Sequence, residues 1–149
     1  MTWKQFALLC FLSTVISSCA CDPERMVRGM MWGFNKMVGE GYFPSDEILE
    51  FGDFERVEVN MNQQRIDGED KSFIELRFYN GKNPALQYQQ ENIAFRCAEL
   101  YARDYSKIKN YDQVIVYFIF SDPVNPENYA INEYSFEIAE LLNNQNPEP

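Results

Sequence analysis

The chain has 149 residues, room for one domain of ordinary size. Thirteen basic residues stand against 23 acidic ones, and a net charge of −10 repels phosphate, so a nucleic-acid reader is not expected. The absence of histidine removes every Ser-His, Cys-His and His–metal device, while 46% apolar and 15% aromatic residues suffice for a packed core.

The first 21 residues read MTWKQFALLCFLSTVISSCAC. Lys4 supplies a positive n-region, and Phe6 to Ile16 form an apolar run too short to cross a hydrocarbon core of roughly 30 Å as a helix. That is the pattern of a secretory signal. Ile16-Ser17-Ser18-Cys19 then places an aliphatic residue three before a cysteine, with small residues between. The segment resembles the lipobox of bacterial lipoproteins. The resemblance implies cleavage before Cys19 and acylation of that residue with palmitate-like chains, more than one tail and hence a stable membrane anchor. Ser18-Cys19-Ala20-Cys21 is a competing register without the aliphatic residue, and cleavage near Ala20 without lipid is the plain-secretion alternative. Ala20 does not resemble an inner-membrane retention signal, where Asp would stand. The implied location is therefore the cell envelope or periplasm, lipid-anchored, with the outer membrane favoured if the organism has one. Residues 1–18 are read as signal, 19–142 as a single anchored domain and 143–149 as a disordered polar tail. Removing the signal takes away Lys4 and leaves the mature chain at −11.

Asp22-Pro23 reads as an N-cap and first helical residue. Met26, Val27, Met30, Met31, Phe34, Met37 and Val38 then form an amphipathic stripe that ends near Gly39 and Gly41. Met at this spacing fits core packing; a soft-metal or adaptable peptide-binding surface is the sharper alternative. Tyr42 to Asp53 is a connection with one short helical turn from Asp46. Phe54 to Met61 alternates, Asp67-Gly68-Glu69-Asp70 turns, and Ser72 to Tyr79 alternates again, which reads as a hairpin. The acidic turn lacks the alternating ligands and twelfth-position Glu of a calcium loop, so no metal is expected. Asn83-Pro84 opens a second helix without Gly or Pro to Ile108. Val114 to Phe120, VIVYFIF, reads as a strand buried on both faces. After the Asp122 to Pro126 loop, a last strand lies within Tyr129 to Ile138, with Tyr134, Phe136 and Ile138 inward.

The order helix, hairpin, helix, hairpin implies an α+β fold. Two helix-hairpin (αββ) units form a four-stranded antiparallel sheet with both helices on one face, or, alternatively, split across the two faces. If Val114, Val116, Phe118 and Phe120 face the helices, alternation turns Ile115, Tyr117 and Ile119 outward, with Phe73 and Tyr79 outward on the hairpin. Such a patch marks a dimer or partner interface unless a loop such as Tyr42 to Asp53 covers it.

No cysteine pair of zinc spacing, HExxH or Gly-rich phosphate loop is present, and no cofactor is expected. Chance pairs such as Glu133 and Glu137 do not define a cleft, so the chain is read as a non-enzyme. Cys21 and Cys97 could pair in an oxidising compartment, with a buried helical Cys97 thiol as the alternative. The leading reading is a lipid-anchored binding or scaffolding module of the cell envelope, with the membrane and a protein partner or second copy as its contacts. An acidic inhibitor or immunity-type protein for a basic envelope-active enzyme or toxin is the alternative. A carrier of a small apolar ligand, which requires an underfilled core, is the third.

Overall fold

The computed structural model describes residues 23–66, 68–125 and 127–143, with 23–28 and 66 as backbone only. The signal, Cys19 and Cys21 lie outside these residues. The chain divides after Met37 into two compact units, and the sheet lies in the one that begins at Val38.

Helix α1, Pro23–Val38, belongs to the first unit up to Met37. Its Met30, Met31 and Met37 side chains are exposed, against the core-packing reading of those three methionines, while Phe34 and Val38 are half-buried. A helical period shows that one side is apolar; it does not say what covers that side.

The second unit is α+β. Gly41 enters it at φ +74°, and a Cβ there would stand 2.0 Å from the Asp104 carbonyl oxygen, so only glycine fits. Helix α2, Asp46–Gly52, carries Asp46 and Glu47 in its first turn, where the helix dipole favours negative charge. Asp53 closes it in the left-handed region, its amide donating to the Leu49 and Glu50 carbonyls. Strands β1, Arg56–Ile66, and β2, Glu69–Tyr79, form the expected hairpin and are longer than the alternation alone marked.

The second helix differs from its expected span. Asn83 caps a 3-10 turn, Pro84–Gln87, by accepting a hydrogen bond from the Ala85 amide at 2.9 Å. Tyr88 and Gln89 leave helical geometry, and helix α3 runs only over Gln90–Asp104. Tyr105 is extended, and a second 3-10 turn covers Ile108–Asn110. Strands β3, Gln113–Ser121, and β4, Tyr129–Glu137, make the second hairpin. Ile138 is inward, as its position suggested, but as the first residue of helix α4, Ile138–Asn143, so the ordered fold extends to the first residue assigned to the tail.

The sheet order is β1-β2-β3-β4. Both hairpins are antiparallel, but β2 and β3 pair in parallel, so the sheet is mixed and not purely antiparallel. The segment between them explains why. A hairpin turn forces reversal, whereas a connection that contains a whole helix carries the chain back to the end where β2 began. Asp112 fixes that return: its amide donates to the Ser72 carbonyl, and its carboxylate accepts from the Ser72 amide at 2.8 Å and hydroxyl at 3.0 Å.

Between the sheet and α3 lies the core. Val57–Phe78–Phe118, Val59–Leu76–Val116 and Met61–Ile74–Val114 are cross-strand rows on that side. Ile93, Ala94, Cys97 and Tyr101 of α3 pack onto the same cluster, with Ile48 of α2 and Leu141 of α4. Phe54, Phe78 and Phe118 fill one end with ring centroids 4.5–5.9 Å apart.

Candidate functional site: the open face of the sheet

Strand period places a second set of side chains on the side of the sheet away from α3. The register aligns them in rows: Arg56–Tyr79–Ile119–Ile131, Glu58–Arg77–Tyr117–Glu133, Asn60–Glu75–Ile115–Ser135 and Asn62–Phe73–Gln113–Glu137. The parallel β2–β3 joint brings Tyr79, Ile115, Tyr117 and Ile119 onto neighbouring central strands. Ile115, Tyr117 and Ile119 are half-buried rather than buried, so β3 is closed on one face only. Ile131 is 49% exposed at the β4 edge, and Tyr129 beyond it is 63% exposed. Phe73 lies on this side but is buried, at 8%, and offers a partner little surface.

The segment weighed as a cover for this face packs elsewhere. Tyr42 donates to the Val59 carbonyl at 3.2 Å and accepts from the Tyr101 hydroxyl at its own carbonyl at 3.0 Å, while Ile48 is fully buried in the helix-side core. Residues 42–53 therefore belong to the α3 side, because their apolar positions complete that core.

Charged groups crosslink the open face. The Arg77 guanidinium donates to Glu75 at 2.8 and 3.1 Å and lies 5.5 Å from the Tyr117 ring centroid. That pairing neutralises Glu75, the buried charged residue among those described. Arg56 stacks 4.0 Å from the Tyr79 ring centroid, and the Tyr79 hydroxyl donates to Glu58 at 2.8 Å. Burial raises the Tyr117 hydroxyl above the usual phenol range; the nearby Glu133 and Glu75 carboxylates add to this and Arg77 opposes it. The Gln113 side chain donates to Glu137 at 2.6 Å. The result is a surface that is aliphatic and aromatic at its centre, with carboxylates along β4, and it suits recognition by area and charge.

Cys97 is a free thiol with no exposed area, and burial pushes it up to about 12. Its suggested partner Cys21 lies outside the described residues. Among the described residues no group of three or more Cys, Asp or Glu is placed to hold a metal ion, and no helix is long and apolar enough to cross a membrane.

Alternation assigns Glu58, Arg77 and Glu133 to the outward sides of their strands, whereas Arg56, Tyr129 and Ile131 escaped it, and only strand order makes the six neighbours. Asn80, at φ 50°, ties the end of β2 to its neighbours, donating its amide to the Ile119 carbonyl, accepting from the Ser121 amide and donating its side chain to Glu55. No protein-family model, curated protein or solved structure matches the chain.

Proposed function

We propose that the chain is a lipid-anchored binding module of the cell envelope, held through acylated Cys19 and docking a protein partner or a second copy on the open face of its sheet. The observation that carries the binding role is half-buried Ile115, Tyr117 and Ile119 of β3 with exposed Ile131 of β4, an apolar surface on the side of the sheet away from α3. Ile16-Ser17-Ser18-Cys19 supports the anchor. The chemistry of the face supports binding over catalysis, since charged and polar groups on it are engaged with one another, Arg77 with Glu75 along β2 and Tyr79 with Glu58 and Gln113 with Glu137 across strands. The acidic-inhibitor reading draws on the chain's charge of −10 and on Glu133 and Glu137 along β4, which would meet a basic partner. An apolar-ligand carrier has less support, because aromatic rings fill the space between α3 and the sheet.

Expression with the native signal in a bacterium tests the anchor. Intact mass should show an N-terminal acylated Cys19 in the membrane fraction, and Cys19→Ala should release the protein or leave it unprocessed. An unmodified N-terminus after Ala20 would contradict the anchor without touching the argument for the face.

A further inference from the structure

We infer that α1 lies in the membrane surface, its methionine side seated at the boundary between headgroups and acyl chains of an anionic bilayer. This deepens the anchored reading, and it rests on observations of α1 itself.

The helix is amphipathic by period, with Met30, Met31, Phe34 and Met37 on one side and Trp32 and Lys36 on the other. On its apolar side Met30 is 61% and Met31 43% exposed. Unbranched methionine chains adapt to a fluid environment. Charge separates this helix from the rest of the chain. Its sequence holds Arg25, Arg28 and Lys36 against Glu24 alone, a local +2 in a protein of net −10. A basic polar side opposite an apolar side is the pattern of a helix that lies in the interface and prefers anionic lipid. On the polar side, Lys36 stands 5.2 Å over the Trp32 ring, a pair suited to the headgroup layer.

Position gives the third argument. Only Ala20, Cys21 and Asp22 separate Cys19 from Pro23, at most ~14 Å of extended chain, so an acylated Cys19 delivers α1 to the bilayer surface. Sixteen residues span ~24 Å along the surface, yet the helix is too short and too charged to cross. Anchor and helix together give two membrane contacts, which fix the orientation of α1 as well as its location.

The test places a tryptophan on each side of the helix in the mature chain, residues 19–149 with Cys19→Ser, so that no lipid contributes. Met30→Trp with Trp32→Phe reports the apolar side; native Trp32 reports the polar side. Both proteins are titrated with vesicles of phosphatidylcholine containing phosphatidylglycerol, and with phosphatidylcholine alone, each carrying nitroxide-labelled lipid. The expected result is a blue shift and strong quenching at position 30 and weak quenching at position 32. Partition should be roughly thirtyfold weaker on the neutral vesicles, for a local +2 at about 1 kcal/mol per basic side chain near an anionic surface. Met30→Glu with Met31→Glu, at exposed positions that the fold tolerates, should lose binding by tenfold or more. Equal quenching at both positions, no response to vesicles, undiminished binding by the double variant, or a blue shift that grows with protein concentration without lipid would each overturn the inference. Because this protein is unacylated, loss of the Cys19 anchor in cells leaves the inference standing, and a wet position 30 overturns it even where Cys19 is acylated.

Discussion

Raising the pH should unfold this protein in stages, beginning with Cys97. The thiol has no exposed area, and burial moves it from 9.0 to about 12. A group held protonated by the fold contributes stability that is complete below its unfolded value and is lost as pH rises toward its folded value. The window for Cys97 is therefore pH 9 to 12, with a limiting slope of about 1.4 kcal/mol per pH unit and a total of roughly 4 kcal/mol. That is a large part of the stability of an ordinary domain. Above pH 10 phenols join, foremost Tyr101 and Tyr105, which burial raises, the latter to about 12. Each hydroxyl also donates to a carbonyl, Tyr101 to Tyr42 and Tyr105 to Val38, and ionisation abolishes those bonds. The assay is a series of urea titrations from pH 8 to 11, followed by far-ultraviolet circular dichroism, on the native chain and on Cys97→Ala. The native midpoint should begin to fall near pH 9 and fall faster above pH 10; the variant, less stable at pH 8, should stay flat until pH 10. Identical slopes for the two proteins between pH 9 and 10 would refute the assignment of that window to Cys97.

Gly41→Ala and Gly68→Ala share a positive φ, but a Cβ at Gly68 meets nothing within 4 Å whereas one at Gly41 strikes the Asp104 backbone. Gly68→Ala should cost about 1–2 kcal/mol by urea titration and Gly41→Ala clearly more; equal losses would contradict the close approach. Phe118→Ala removes a fully buried ring that packs on Phe54, Phe78 and Tyr134, and should cost about 3–5 kcal/mol in the same measurement, a loss below about 1 kcal/mol being the contrary result.

Local order was legible where one period dominates. Val57, Val59 and Met61, and Ile74, Leu76 and Phe78, alternate because one side of each strand closes the core, and both runs lie in strands. Asp46 was enough to mark α2. The parallel β2–β3 joint was not legible, because period assigns a side to each residue and says nothing of strand direction. The break at Tyr88 and Gln89 escaped for a similar reason: neither residue is a strong breaker, and the Asn83 cap serves a 3-10 turn as well as a helix. The centre of the open face, Ile115, Tyr117 and Ile119, followed from the alternation of one strand, and so does the Arg77–Glu75 pair, two residues apart on β2, whereas Ile131 beside Ile119 required the register between strands.

The claim that the open face docks a partner is tested most directly by photocrosslinking in intact cells. A photoreactive phenylalanine analogue at Ile119, on the open face, is compared with the same residue at Tyr88, which is 83% exposed and lies outside the sheet. The account predicts a discrete adduct in the membrane fraction from position 119, absent from position 88 and lost when Tyr117→Glu is added. No adduct from position 119, or the same adduct from both positions, would contradict it.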